Sequence, residues 1–186
     1  MDFEKILLNS LKHEGGKGRE VTGDKVNYGV RQSIYNAYAK QNNIKTKDVY
    51  DLTYGEVRDF YKKEFWERNK LDNLPDERLA ALTFDYAINA GANKAIKDLQ
   101  SIVGAKPDGK IGKDTIKAIE GYEYDSNMLA HQLLNSRSAY YTELYQKDPK
   151  KYGGSIDGWY ERIGKLKDQY GLNVSQSLSG ALSTEE

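Results

Sequence analysis

The chain has 186 residues, enough for one compact domain or two small lobes, and 38% of them are apolar. Lys+Arg and Asp+Glu balance at 28 each, which argues against bulk electrostatic binding of nucleic acid, and no apolar run is long enough to insert into a membrane. There is no cysteine, and His13 and His131 are the only histidines. Disulfides, thiol nucleophiles and Cys- or His-rich metal sites are therefore excluded, and neither metal nor cofactor is expected.

In chain order, Phe3, Ile6, Leu7, Leu8 and Leu11 recur at three- and four-residue steps and predict an amphipathic helix over residues 2–13. Gly15 and Gly16 stop it, since glycine readily takes the left-handed conformation that ends helices. Glu14 then sits at the negative end of the helix dipole, where its ionised form is disfavoured. A carboxyl so placed is a candidate general acid, because such an acid must hold its proton near neutral pH. A solvated Glu at a frayed helix end fits the same position.

Residues 15–29 are glycine-rich and polar and fit a loop or small β-hairpin. A helix is predicted from about Val30 to Gln41. Thr53 and Glu56 have capping-box spacing and open a helix carrying Val57, Phe60, Tyr61, Phe65 and Trp66. Pro75, Asp76 and Glu77 mark the next start, with a stop at Gly91. Ala92 to Val103 carries Ile96, Leu99 and Ile102 on one face. Lys106 to Gly112 reads as a turn, followed by a short helix with Ile116 and Ile119. Longer helices are predicted from about Ser126 to Tyr145 and from about Gly158 to Tyr170, and the Ser-rich tail is expected to be mobile. The fold class is mainly α. Fifteen tyrosines and two tryptophans fit ordinary amphipathic packing, and they also fit a carbohydrate groove, because polar-tipped rings stack on sugar faces.

Six motifs occur in order: His13-Glu14-Gly15-Gly16; Asn27-Tyr28-Gly29-Val30; Phe84 to Gly91; Leu99-Gln100; Asp108 to Gly112 with Thr115; and Gly158-Trp159-Tyr160-Glu161-Arg162. Together they resemble the N-acetylmuramidases of glycoside hydrolase family 108, over residues 1 to about 170. The resemblance implies a lysozyme-like fold: two helical lobes, with a small β-hairpin or loop region after the first helix and a cleft between the lobes. It implies a muramidase part at 1–90, a helical peptidoglycan-binding-like part at 91–172 packed on it, and a mobile tail at 173–186. It makes Glu14 the catalytic acid, protonating the β-1,4 glycosidic oxygen between N-acetylmuramic acid and N-acetylglucosamine. The partner implied is bacterial peptidoglycan, met by a monomer, with no nucleic acid and no membrane insertion. No secretory signal is visible, so the protein is expected to be made in the bacterial cytoplasm and to act on the wall, as phage or prophage endolysins do.

The loop after Glu14 departs from the family pattern. Lys17 stands where an aromatic residue is usual, Gly23-Asp24 replaces paired glycines, and Val26 replaces a threonine. The second carboxylate is therefore not assigned by motif. Asp24 is preferred over Glu20, because it lies near Asn27-Tyr28-Gly29, where a hairpin could return it to Glu14. Separations of about 6.5–9.5 Å between the two carboxyls suit inversion and about 5–5.5 Å suit retention. Asn27, Tyr28, Asp85 and Asn89 are expected to line the cleft, with Asp85 and Asn89 four apart on one helix. Asp85 and Asn89 equally fit a buried polar pair tying that helix to the β lobe, and Tyr28 a residue closing its loop over the core. Structural roles are expected for Gln100, Asp108, Gly109, Gly112 and Thr115, and for Trp159 and Arg162 in packing the last helix. The altered loop also fits a catalytically inactive wall-binding or structural component of a phage particle or secretion system.

Overall fold

The computed structural model describes residues 2–12, the backbone of 19–21, and residues 23–173. Its order is helix α1 (Phe3–Leu11), strands β1 (Arg19–Val21), β2 (Asp24–Asn27) and β3 (Val30–Arg31), then helices α2 (Gln32–Gln41), α3 (Tyr54–Tyr61), α4 (Glu77–Ala90), α5 (Ala92–Ile102), α6 (Lys113–Glu120), α7 (Ser126–Lys147) and α8 (Pro149–Gln169). This is the mainly α, lysozyme-like architecture expected, with the small sheet directly after the first helix.

α4 is the central element. Every side chain from Leu79 to Ala87 is buried, as expected for a helix packed on all sides. Phe84 anchors one flank, with its ring against Phe3, Tyr61 and Trp66 at centroid distances of 5.6, 6.2 and 5.7 Å. Full burial of each such large apolar side chain is worth roughly 1.5–3 kcal/mol. Asp76 starts the helix by accepting from the Leu79 amide at 3.0 Å, and Gly91 ends it at φ +89°. The capping box opening α3 is present in both directions: Thr53 N–H donates to Glu56 Oε2 at 2.9 Å, and Glu56 N–H to Thr53 Oγ1 at 3.3 Å.

The sheet is an antiparallel meander in the order β1-β2-β3. Val21 pairs with Asp24 and Asn27 with Val30, and the second connection is a two-residue turn. In the second, Tyr28 and Gly29 have φ of 50° and 77°. Two successive positive φ values match the right-handed strand twist. Tyrosine in the first place departs from the usual Asn or Gly and costs of order 1 kcal/mol in backbone strain.

Several expectations about boundaries need correcting. Val30 and Arg31 are strand, and α2 begins only at Gln32. α3 runs on into a π-helical turn, Lys62–Glu67, marked by the Arg68 amide reaching back five residues to the Lys63 carbonyl at 3.1 Å. The last helix starts at Pro149 rather than Gly158, running through Gly153, Gly154 and Gly158. Asp148 caps it, accepting from the Lys151 amide at 3.0 Å, and Pro149 occupies the first turn. Its packing along α7 outweighs the cost of the glycines, about 1 kcal/mol each.

Candidate active site

Asp24 opens β2, and its carboxylate accepts from both the backbone N–H and the hydroxyl of Ser33, in the first turn of α2. It thus ties the sheet to that helix. Lys25 and Asn27 lie on the other face of β2 and reach the segment before α3. Lys25 pairs with Asp48, and the buried Asn27 amide donates to the Val49 carbonyl at 2.8 Å. Asn27 Oδ1 is buried with no hydrogen-bond partner among the described residues. Glu20 stands opposite Lys25 in the ladder. Tyr28 is half-buried against the core, and its carbonyl accepts from the Tyr61 hydroxyl at 2.9 Å. That bond holds the strained turn against α3.

Beside this turn lies a groove of about 230 Å³. Gly29, Val30 and Arg31 form one wall, Phe60, Tyr61 and Phe65 another, and Ala87, Ile88 and Gly91 the end of α4. The π-helical turn shapes it. That turn sets Phe65 beside Tyr61, with ring centroids 5.5 Å apart, while the next residue, Trp66, turns into the core against Phe3 at 5.3 Å. π-turns recur at functional sites because they re-aim side chains without ending a helix.

Asp85 is not on a groove wall. It is 1% exposed, and both its oxygens are taken by guanidinium groups. Arg137 Nη1 donates to Oδ1 at 2.8 Å, Arg162 Nε to Oδ1 at 2.9 Å, and Arg162 Nη2 to Oδ2 at 2.8 Å. Burial opposes ionisation, but the two guanidiniums outweigh it and pull the Asp85 pKa down to about 2. Asn89, one turn on and exposed, accepts from Arg137 Nη2 at 2.6 Å. The Arg137 Nε donates to the Tyr141 hydroxyl at 2.9 Å, and its guanidinium lies over the Tyr86 ring at 5.3 Å. Arg162 Nη2 also donates to the Ser10 carbonyl in the last turn of α1, at 3.4 Å.

The polar pair on α4 therefore ties that helix to α7, α8 and the end of α1, rather than to the sheet. Sequence reasoning missed Arg137. The available signal was an arginine at helical spacing among Leu133, Leu134 and Tyr141, where a buried charge demands a counter-ion. Arg162 and Trp159 pack the last helix, as expected. Trp159 stacks on Tyr141 with ring centroids 4.5 Å apart.

In the second half, Gln100 is the hub of the turn that follows α5. Its Nε2 donates to Asp108 Oδ1, the Lys110 carbonyl and Thr115 Oγ1 at 2.9–3.0 Å, and its Oε1 accepts from the Gly109 amide at 2.8 Å. These residues take the structural role expected of them. The sheet thus carries Asp24 and Asn27 on opposite faces of β2, with Tyr28 in the turn next to the groove-lining Gly29, while Asp85 stays inside. The predicted acid, Glu14, together with His13, Gly15, Gly16 and Lys17, lies outside the described residues, as does the tail beyond Asn173. Ser10 brings the end of α1 to the Arg162 guanidinium, and Glu14 follows four residues later.

Comparison with known proteins bears on this arrangement. Residues 7–91 match the model of the Glycosyl hydrolase 108 family, and residues 94–164 match that of the Predicted Peptidoglycan domain. Comparison with curated proteins finds no match. Among solved structures, SagA of Brucella abortus is similar at 24% identity over 90% of this chain and 92% of that one, with a TM-score of 0.72. At that identity the likeness concerns the fold.

Proposed function

We propose that this chain, which carries a glycosyl hydrolase 108 domain followed by a predicted peptidoglycan domain, is a muramidase of the endolysin type. Those two domains in one chain support a glycoside hydrolase acting on peptidoglycan. The bond cut is the β-1,4 linkage between N-acetylmuramic acid and N-acetylglucosamine, and a phage or prophage delivers the enzyme to its host's wall.

The observation that carries the reading is the convergence of the sheet, α3 with its π-helical turn and the end of α4 on a groove beside a strained turn. Glu14, following α1, is the general acid that protonates the leaving oxygen. Asp24 is the second carboxylate, supporting attack by water or the oxocarbenium-like state. The Ser33 bonds fix its rotamer, which suits a group that must keep its position through the reaction. Tyr28 and Asn89 contact the glycan, with the Tyr28 ring offered to a sugar face, whereas Asn27, expected to line the cleft, is buried and instead ties β2 to the Val49 carbonyl. Asp85 acts from inside, through Arg137 to Asn89 and through Arg162 to the end of α1. It is a positioning residue.

Glu14→Gln removes the transferable proton and keeps the shape. The expected result is complete loss of reducing-sugar release from purified walls, with an unchanged melting curve. Full lysis by that variant would overturn the assignment of the acid. Retention of the wild-type protein by walls without sugar release would instead favour a non-catalytic wall-binding component.

A further inference from the structure

A second concavity, of about 300 Å³, lies where the start of α4 meets the end of α6 and the start of α7. Its floor is apolar and buried: Leu79, Ile119 and Leu129. Its rim carries Tyr122 and Tyr124 beside Asp125. The two rings stand edge to face with centroids 5.7 Å apart. Tyr122 is half-buried and packs against the core. Tyr124 is 54% exposed, and its hydroxyl has no hydrogen-bond partner among the described residues.

We infer that this concavity is an accessory saccharide site that holds the glycan strand of peptidoglycan away from the catalytic groove. The inference rests on peptidoglycan being the substrate, and three observations support it. The volume lies at the lower end of the ~300–1,000 Å³ range of small-molecule sites, the size for a short stretch of sugar. An exposed ring held beside a half-buried one offers a flat apolar face with a polar tip, which matches the C–H face and hydroxyl edge of a pyranose. Asp125 spends one oxygen capping α7, on the Met128 amide at 2.8 Å, and its carboxylate is an acceptor for sugar hydroxyls at the rim.

The position adds a reason. The floor and rim join Leu79 of the segment matching the hydrolase family to Ile119, Tyr122 and Tyr124 of the segment matching the peptidoglycan domain. A polymer held there is tethered to the same molecule that cuts it. Each further encounter of the strand with the catalytic groove becomes intramolecular, which raises the local concentration of cleavable bonds.

The test compares wild type with Tyr124→Ala and Tyr124→Trp, neither of which touches the catalytic groove. Cosedimentation is measured at 4 °C with purified walls, and with glycan strands stripped of their stem peptides. Turnover is measured on walls and on a short soluble N-acetylhexosamine oligomer. For Tyr124→Ala we expect a roughly three- to tenfold loss of retention on both insoluble substrates, the scale of one lost aromatic contact. Turnover on walls falls with it, while turnover of the short oligomer and the melting curve stay unchanged; Tyr124→Trp restores retention. Unchanged retention of Tyr124→Ala overturns the inference. So does retention by peptide-bearing walls with none by bare strands, because the site would then read peptide. Tyr124-dependent retention on bare strands in a protein that releases no reducing ends supports the site while refuting the hydrolytic reading.

Discussion

Replacing Asp85 by asparagine separates a positioning role from a substrate contact. The side chain keeps its size but loses its charge, and two guanidiniums that are 1% and 6% exposed lose the carboxylate they share. Breaking a buried ion pair by removing one partner costs about 3–5 kcal/mol, because the remaining charge stays desolvated. For a urea m-value of ~2 kcal/mol/M, the unfolding midpoint should fall by roughly 1.5–2.5 M. The pH dependence is a separate test of the same ion pair. The folded pKa of about 2 lies below the unfolded value of about 3.8, so the ionised pair contributes its stability in full above pH ~4. That contribution, about 2 kcal/mol, is lost as pH falls from there through ~2. Asp85→Asn should lack this part of the acid slope. Asp59→Asn serves as the control. It breaks the Arg58–Asp59 pair, whose side chains are 43% and 53% exposed, and should leave the midpoint close to wild type. Urea melts followed by far-UV circular dichroism at pH 7 and pH 3 make the comparison. A midpoint within ~0.5 M of wild type, together with lost turnover, would refute the reasoning and return Asp85 to the substrate.

Two further variants test the turns. Gln100→Leu strands the Gly109 amide and the acceptors around it, for a cost of ~3 kcal/mol, and calorimetry should show the melting temperature falling by roughly 6–12 °C. A fall of under ~2 °C would mean the turn holds itself. Tyr28→Gly removes the φ +50° strain, which offsets part of the lost ring contact, so stability should stay within ~1 kcal/mol of wild type while wall turnover drops several-fold. A stability loss above ~2 kcal/mol with turnover per folded molecule intact would make the ring a core residue instead.

What the sequence discloses follows how local each signal is. The Thr53–Glu56 box, the Asp76 start and the Asp108-Gly109 turn all form within a few residues, and all stand where the pattern puts them. The second half of the last helix is legible, but its start at Pro149 is not, because Gly153, Gly154 and Gly158 argue against it locally while its warrant, packing on α7, is tertiary. The π-turn at Lys62–Glu67 carries no period of its own in the sequence. Asp85 and Asn89 were recognised as a pair on one helix face, but their partner lies 52 and 48 residues away. No spacing rule links such positions. Only the demand that a buried Arg137 find an acceptor could have pointed to it.

The hydrogen bond from Arg162 to Ser10 spans 152 residues and closes the molecule nearly end to end. During synthesis, the hydrolase segment emerges long before the arginine that completes the seat of α1. α1 itself packs within the hydrolase segment, through the Phe3 ring on Trp66 and Phe84, but its last turn meets Arg162 only after α8 has been made and docked. The peptidoglycan-domain segment thus also braces the end of the helix that precedes Glu14. Truncation before Arg162 should leave α1 seated and loosen its last turn alone.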